Sequence, residues 1–133
     1  MRVVDRKTFL AMPAGTIYAK GEPWAFGNIM QKGETLASDD WIMTDFGNVD
    51  GQSSEEVFDR LEKMLATGVS FLISRDTSRD GLFEPDAIFL IYEFDDLVVL
   101  NNAICRAMAR ERGESLARND RRGERQARPI EPT

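Results

Sequence analysis

The chain contains no histidine and a single cysteine, Cys105, among its 133 residues. Without histidine it lacks the commonest general base, the commonest metal ligand and the usual near-neutral pH switch. Ser–His–Asp and Cys–His catalysis are excluded. Structural zinc sites are built from Cys and His, so a zinc module is not expected. One cysteine cannot close an internal disulfide, which suits a reducing cytoplasm. Long apolar runs are missing too. The run that follows Arg2, Arg6 and Lys7 extends only from Phe9 to Met12, too short for a signal peptide. No stretch reaches the ~20 apolar residues that cross a bilayer. The expectation is a cytoplasmic protein with no membrane contact. Gly15, Gly21, Gly27, Gly33, Gly47 and Gly51 are scattered. None forms a G-x-G-x-x-G or Gly-Lys-Ser/Thr pattern, so no nucleotide loop is expected. No cofactor and no metal are expected. Any enzyme here would have to rely on carboxylates, Lys, Arg, Tyr, Ser or Thr.

What is present is charge, unevenly placed. Residues 1–105 carry 18 Asp/Glu against 9 Lys/Arg, a net of −9. Residues 106–133 carry 8 Arg against 5 Asp/Glu, a net of +3. An acidic body with an arginine-rich end bears on partners and association rates, not on chemistry. Hydrophobic content of 42 % is near the globular norm, enough for one domain with a core. The expected division is one domain over 1–112 and a flexible Arg-rich tail over 113–133, where large aliphatic residues are scarce.

Local patterns suggest the elements. Asp5 can cap a short helix over Arg6–Met12 with Phe9 and Leu10 inward, and Pro13 ends it. Thr16–Lys20, Trp24–Lys32 and Trp41–Phe46 read as strands of a meander, with Lys32-Gly33 as a tight turn. Ser53 and Glu56 have the spacing of a capping box. Behind it Val57, Phe58, Leu61, Met64 and Leu65 recur at helical spacing as a core-facing stripe. Gly68 is a natural stop. Val69–Ser74 alternates like a half-buried strand. Ala87–Phe94 is almost uninterruptedly apolar, as a central strand is. Asp95 or Asp96 then caps a last helix. Its inward stripe is Leu97, Leu100, Ile104 and Ala107 or Met108, Cys105 is a buried thiol on its apolar side, and Gly113 is its end. The predicted class is α+β: a mostly antiparallel sheet of about five strands, two main helices and a short N-terminal helix.

Chemistry-bearing constellations are few. Asp76, Ser78, Asp80 and Glu84, with Gly81 at the sixth position, match part of a calcium loop. Ala87 stands where the bidentate Glu is needed, Arg79 brings a positive charge, and the flanks read as strands. A solvated hairpin loop with Asx turns is the simpler reading. Asp39-Asp40, Glu55-Glu56 and Asp95-Asp96 are adjacent pairs, and neighbours on a strand point to opposite faces. Pro85-Asp86 and Glu93 lack the basic partner of a two-metal nuclease. Trp24, Phe26, Trp41 and Phe46 cluster in the meander as core or as a binding face. Arg106, Arg110 and Arg112 precede Arg118, Arg121, Arg122 and Arg125. The last four are candidate phosphate contacts, diluted by Glu111, Glu114, Asp120 and Glu124.

The opening, Val3-Val4-Asp5-Arg6-Lys7-Thr8-Phe9-Leu10-Ala11-Met12-Pro13-Ala14-Gly15-Thr16-Ile17-Tyr18-Ala19-Lys20, resembles the start of small uncharacterised proteins of tailed phages and prophages. Lys32-Gly33-Glu34-Thr35-Leu36 and Arg79-Asp80-Gly81-Leu82-Phe83 add to the likeness. The resemblance implies a phage or bacterial source and a cytoplasmic setting, and it transfers no catalytic residue.

The expected function is a non-enzymatic interaction protein whose acidic face binds a protein partner, such as a nucleic-acid-handling host protein that it inhibits. Candidate contact residues are Asp39, Asp40, Asp45, Asp76, Arg79 and Asp80. Two alternatives stand beside it: a carboxylate or divalent-metal enzyme, and nucleic-acid binding through the tail. The oligomeric state stays open.

Overall fold

The structure, a computed structural model, describes residues 1–21, 24–37, 39–80 and 84–126, with 114–126 described by backbone alone. The chain divides into two units, Met1–Glu93 and Phe94–Thr133. The first runs β1 (Arg2–Asp5), α1 (Arg6–Leu10), β2 (Ile17–Gly21), β3 (Met30–Leu36), β4 (Asp40–Asp45), α2 (Ser54–Thr67), β5 (Thr77–Arg79) and β6 (Ile88–Ile91). Its strands form one sheet in the order β1-β6-β2-β3-β4-β5. Every pairing is antiparallel. The second unit is α3 (Phe94–Gln126). The class is α+β, with six strands where the sequence suggests about five. Among the described residues no helix is long and apolar enough to cross a membrane.

The core lies under α1. Asp5 caps this helix by accepting from Thr8 N–H at 2.8 Å. That hydrogen bonding holds the Asp5 carboxyl below its usual range. The cap sets Phe9 on the sheet, stacked on Phe89 at 4.1 Å between centroids and edge-on to Trp41 at 5.0 Å. Tyr18, Met30, Ala87 and Ile91 complete the cluster. Trp41 Nε1 donates to the Tyr18 hydroxyl at 2.8 Å, so the buried indole N–H is satisfied. Burial pushes the Tyr18 pKa up to about 12. β6 lies between β1 and β2, the central place its apolar run predicts.

Lys32 is 2 % exposed inside this core. Its ammonium donates to Thr35 Oγ1 at 2.7 Å and to Gly33 O at 3.1 Å, and it lies 5.8 Å from the Phe9 ring centre. Desolvation lowers its pKa. Lys32-Gly33 is thus not a turn but the interior of β3, at a register shift between Lys32 and Thr35. Glycine suits this close strand crossing, because a Cβ on Gly33 would meet Ile42 Cβ at 3.0 Å and Ile42 O at 3.1 Å.

Other expectations are corrected. The strand predicted over Trp24–Lys32 begins only at Met30. Before it, Phe26 makes a lone bridge to Gly21. Val69–Ser74 is not a strand either. It contributes the single bridge Val49↔Ile73, flanked by Asp50 N–H to Leu72 O at 3.0 Å and Ser74 N–H to Asn48 O at 2.8 Å. α3 runs through Gly113 instead of ending there. Gly113 keeps its φ out of the left-handed region, and a helical glycine costs only ~1 kcal/mol against alanine. The Glu-Ser-Leu-Ala-Arg that follows is mostly strong helix former. Cys105 is exposed rather than buried. Leu97, Ile104 and Met108 are exposed with it, since among the described residues unit 2 holds no second element to cover them.

Candidate protein-binding surface

The six candidate contact residues separate by their partners. Asp40 is 4 % exposed, and its carboxylate accepts from Arg79 Nε and from its neighbour's Trp41 N–H. This pairing raises the Arg79 pKa. Asp80 accepts from Lys20 Nζ at 3.1 Å, and Glu84 lies 3.6 Å from the same ammonium. Asp80 and Glu84 of the calcium-like spacing therefore share a lysine, and Thr77–Arg79, between Asp76 and Asp80, is a strand. Gly81 lies outside the described residues. Asp45 closes a turn, accepting from Gly47 N–H at 2.9 Å and from Asn48 Nδ2 at 3.2 Å. The carbonyl of Asp39 accepts from Arg6, while its side chain faces water. Asp76 is exposed as well. Asp40, Arg79 and Asp80 thus hold the sheet together, and Asp39 and Asp76 are exposed. The half-buried Asp45 shares with Asp76 an open groove of about 540 Å³, also lined by Ser53, Val57, Phe58 and Thr77. The side chains of Arg118, Arg121, Arg122 and Arg125 lie outside those described.

The surface that the sequence does not announce is on α2. One half of the capping box forms as expected, with Ser53 Oγ accepting from Glu56 N–H at 3.2 Å. Glu56 reaches back to Gln52 N–H at 3.0 Å, one residue earlier than a standard box. Gly68 ends the helix in the left-handed conformation at φ 70°. Yet α2 buries none of its residues. The cause is a tether along one edge. Arg60 pairs with Glu56 at 2.6 Å and with Asp50 at 3.8 Å, and donates to Asp50 O at 2.5 Å. Its guanidinium stands 5.1 Å from the Phe71 ring centre. Glu56, Val57, Arg60 and Met64, which share that edge, are half-buried. The rest of the apolar stripe is turned outward: Phe58 is 65 % exposed and Leu65 91 %, with Leu61 between them. Glu55, Asp59 and Glu62 run alongside, all exposed. The segment after the helix adds exposed Val69, Leu72 and Ile73.

No protein-family model, no curated protein and no solved structure matches the chain.

Among the described residues no group of three or more Cys, Asp or Glu side chains is placed to hold a metal ion. The aromatic residues of the meander divide: Trp41 is wholly buried, whereas Trp24 is 74 % exposed. An apolar ridge edged with carboxylates can desolvate against a partner's apolar centre while its rim selects positive charge.

Proposed function

We propose that the protein is a non-enzymatic interaction module. It binds a protein with an apolar centre and a basic rim through the outward edge of α2. The observation that carries this reading is the exposure of Phe58, Leu61 and Leu65 on a helix that buries nothing. Exposed apolar ridges on small domains mark interaction sites, and aromatic and large aliphatic anchors supply most of their energy. Charge supports the sign of the partner. Residues 1–93 carry 16 Asp/Glu against 9 Lys/Arg, net −7, which steers association toward a positive surface and makes it salt-dependent. The phage-like opening supports a bacterial partner. A nucleic-acid-handling protein, whose binding groove is basic, has the matching chemistry.

The test compares two immobilised baits in a bacterial lysate: the native chain and the Phe58→Asp/Leu65→Asp double variant. The expected result is a basic protein held by the native bait, released by raising salt from about 50 to 500 mM, and absent from the variant. Capture of the same proteins by both baits, or of none above a blank matrix, overturns the reading.

A further inference from the structure

β5 is the last strand of the sheet, and its outer side is open among the described residues. Its residues Thr77, Ser78 and Arg79 are all exposed. Asp80 N–H donates to Trp41 O at 3.1 Å, and Ser78 stands opposite Met43 in an antiparallel ladder. Inward hydrogen bonding takes every second residue of such a ladder, so Ser78 turns toward β4 as Asp80 does. Thr77 and Arg79 then turn their N–H and C=O groups away from the sheet. An edge of this kind is a template for one more strand. The groove of about 540 Å³ borders it, with Asp76, Thr77 and Ser78 in the near wall and Val57 and Phe58 of α2 in the far one. We propose that an extended segment of a partner protein, bearing Lys or Arg, adds to β5 as a further strand and lays its basic side chains in this groove.

Backbone and charge together select the occupant. The outward N–H and C=O groups of Thr77 and Arg79 call for an extended backbone. The groove's lining includes two carboxylates, Asp45 and Asp76, and no Lys or Arg. Met43, the cross-strand partner of Ser78, lines the groove and shows which face of the sheet it occupies. In an antiparallel added strand, the residues opposite Thr77 and Arg79 exchange hydrogen bonds with them, and the residues opposite Asp76 and Ser78 point to the groove. Lysine suits those two places, because its stem is apolar, as Val57 and Phe58 are, and its head is cationic. A second copy of this chain does not suit them. Two-fold pairing of β5 with itself sets Asp76 opposite Asp80, Arg75 opposite Arg79, or one of Asp76 and Arg79 opposite its own copy. Each of these registers puts like charges face to face. The site lies apart from the outward edge of α2 and shares only Phe58 with it.

Amide NMR of the isotope-labelled full chain tests this with synthetic peptides, each titrated to about 1 mM. The probe is Thr-Lys-Val-Lys-Val-Lys-Thr, whose lysines share one face and whose valines share the other. Thr-Lys-Pro-Lys-Pro-Lys-Thr keeps the charge and lacks the N–H groups that meet Thr77 and Arg79. Thr-Glu-Val-Glu-Val-Glu-Thr keeps the backbone and reverses the charge. The expected result is saturable shifts of the Thr77 and Arg79 amides with the lysine–valine peptide, at an affinity about tenfold or more above that of either control. Asp76→Lys is expected to weaken that binding by a similar factor, with the rest of the amide spectrum in place. No saturable shift at Thr77 and Arg79 overturns the proposal. So does equal affinity for the proline peptide, which shows attraction by charge alone, or for the glutamate peptide, which shows a groove indifferent to charge. An Asp76→Lys chain that binds the probe unchanged overturns it as well. Only purified protein and peptides are used, so this outcome is separate from that of the lysate capture.

Discussion

Truncating the outward edge of α2 is expected to cost almost nothing, and truncating the ring cluster under α1 to cost a large share of the fold. A fully buried Leu→Ala change loses about 2–5 kcal/mol and Phe→Ala about 3–5 kcal/mol. Leu65 is 91 % exposed. Less than a tenth of that loss applies, so Leu65→Ala should cost about 0.3 kcal/mol. Phe58 is 65 % exposed. Phe58→Ala should cost about 1 kcal/mol, and alanine's better helix propensity offsets part of it. Phe9 has no exposed surface and contacts the rings of Tyr18, Trp41 and Phe89. Phe9→Ala should cost about 4 kcal/mol. Urea unfolding followed by tryptophan fluorescence reads these values, because Trp41 sits in the same cluster. With a slope of about 1–1.5 kcal/mol per molar urea, Phe9→Ala moves the midpoint by about 3 M and Leu65→Ala by about 0.3 M. A Leu65→Ala loss of about 2 kcal/mol or more would mean that the stripe is buried, and would refute the reasoning.

Three further outcomes follow from the core. Tyr18 has a folded pKa of about 12 against 10.0, so its protonated form favours the fold, and about 2–3 kcal/mol is lost as pH rises from 10 to 12. Urea unfolding across that range should show the loss in the native chain and little of it in Tyr18→Phe, which carries instead a pH-independent penalty of about 1–3 kcal/mol for the unpaired Trp41 N–H. Lys32 has the opposite sign. Its folded pKa lies below 10.5, the unfolded chain binds the extra proton, and stability rises as pH climbs through the folded pKa. Lys32→Met should flatten that rise below pH 10.5 and be neutral to stabilising by about 1 kcal/mol at pH 7; a loss above about 2 kcal/mol rejects the account. Gly33→Ala forces a Cβ against Ile42 and should lower stability by about 1–3 kcal/mol in the same assay.

Short-range signals in the sequence are read correctly where local chemistry decides. Asp5, Ser53 and Gly68 cap as their types predict, because each satisfies backbone groups within a few residues. The apolar run before Glu93 finds its central strand, but its burial alternates, with Phe89 and Ile91 buried and Ile88 and Leu90 half-buried. Orientation is less legible. The stripe Val57–Leu65 has the right period, but period does not say which way a helix is turned. Arg60, held by Glu56, Asp50 and the Phe71 ring, decides that. Lys32-Gly33 reads as a turn from residue type, although a close strand crossing at Ile42 is what calls for the glycine. Of the candidate acids, Asp40 and Asp80 could not be separated from Asp39 and Asp76 beforehand, because their cations, Arg79 and Lys20, lie 39 and 60 residues away. The exposed edge of α2 shows only as a contradiction, a predicted core stripe found in water.

Hydroxyl-radical footprinting of Phe58 and Leu65 tests the central claim most directly. The protein is labelled alone and again in the complex recovered on the native bait, with Trp24, 74 % exposed, as the internal reference. Strong labelling of both side chains in the free protein, and protection in the complex with Trp24 unchanged, is the predicted result. Unlabelled Phe58 and Leu65 in the free protein, or equal labelling in both states, contradicts it.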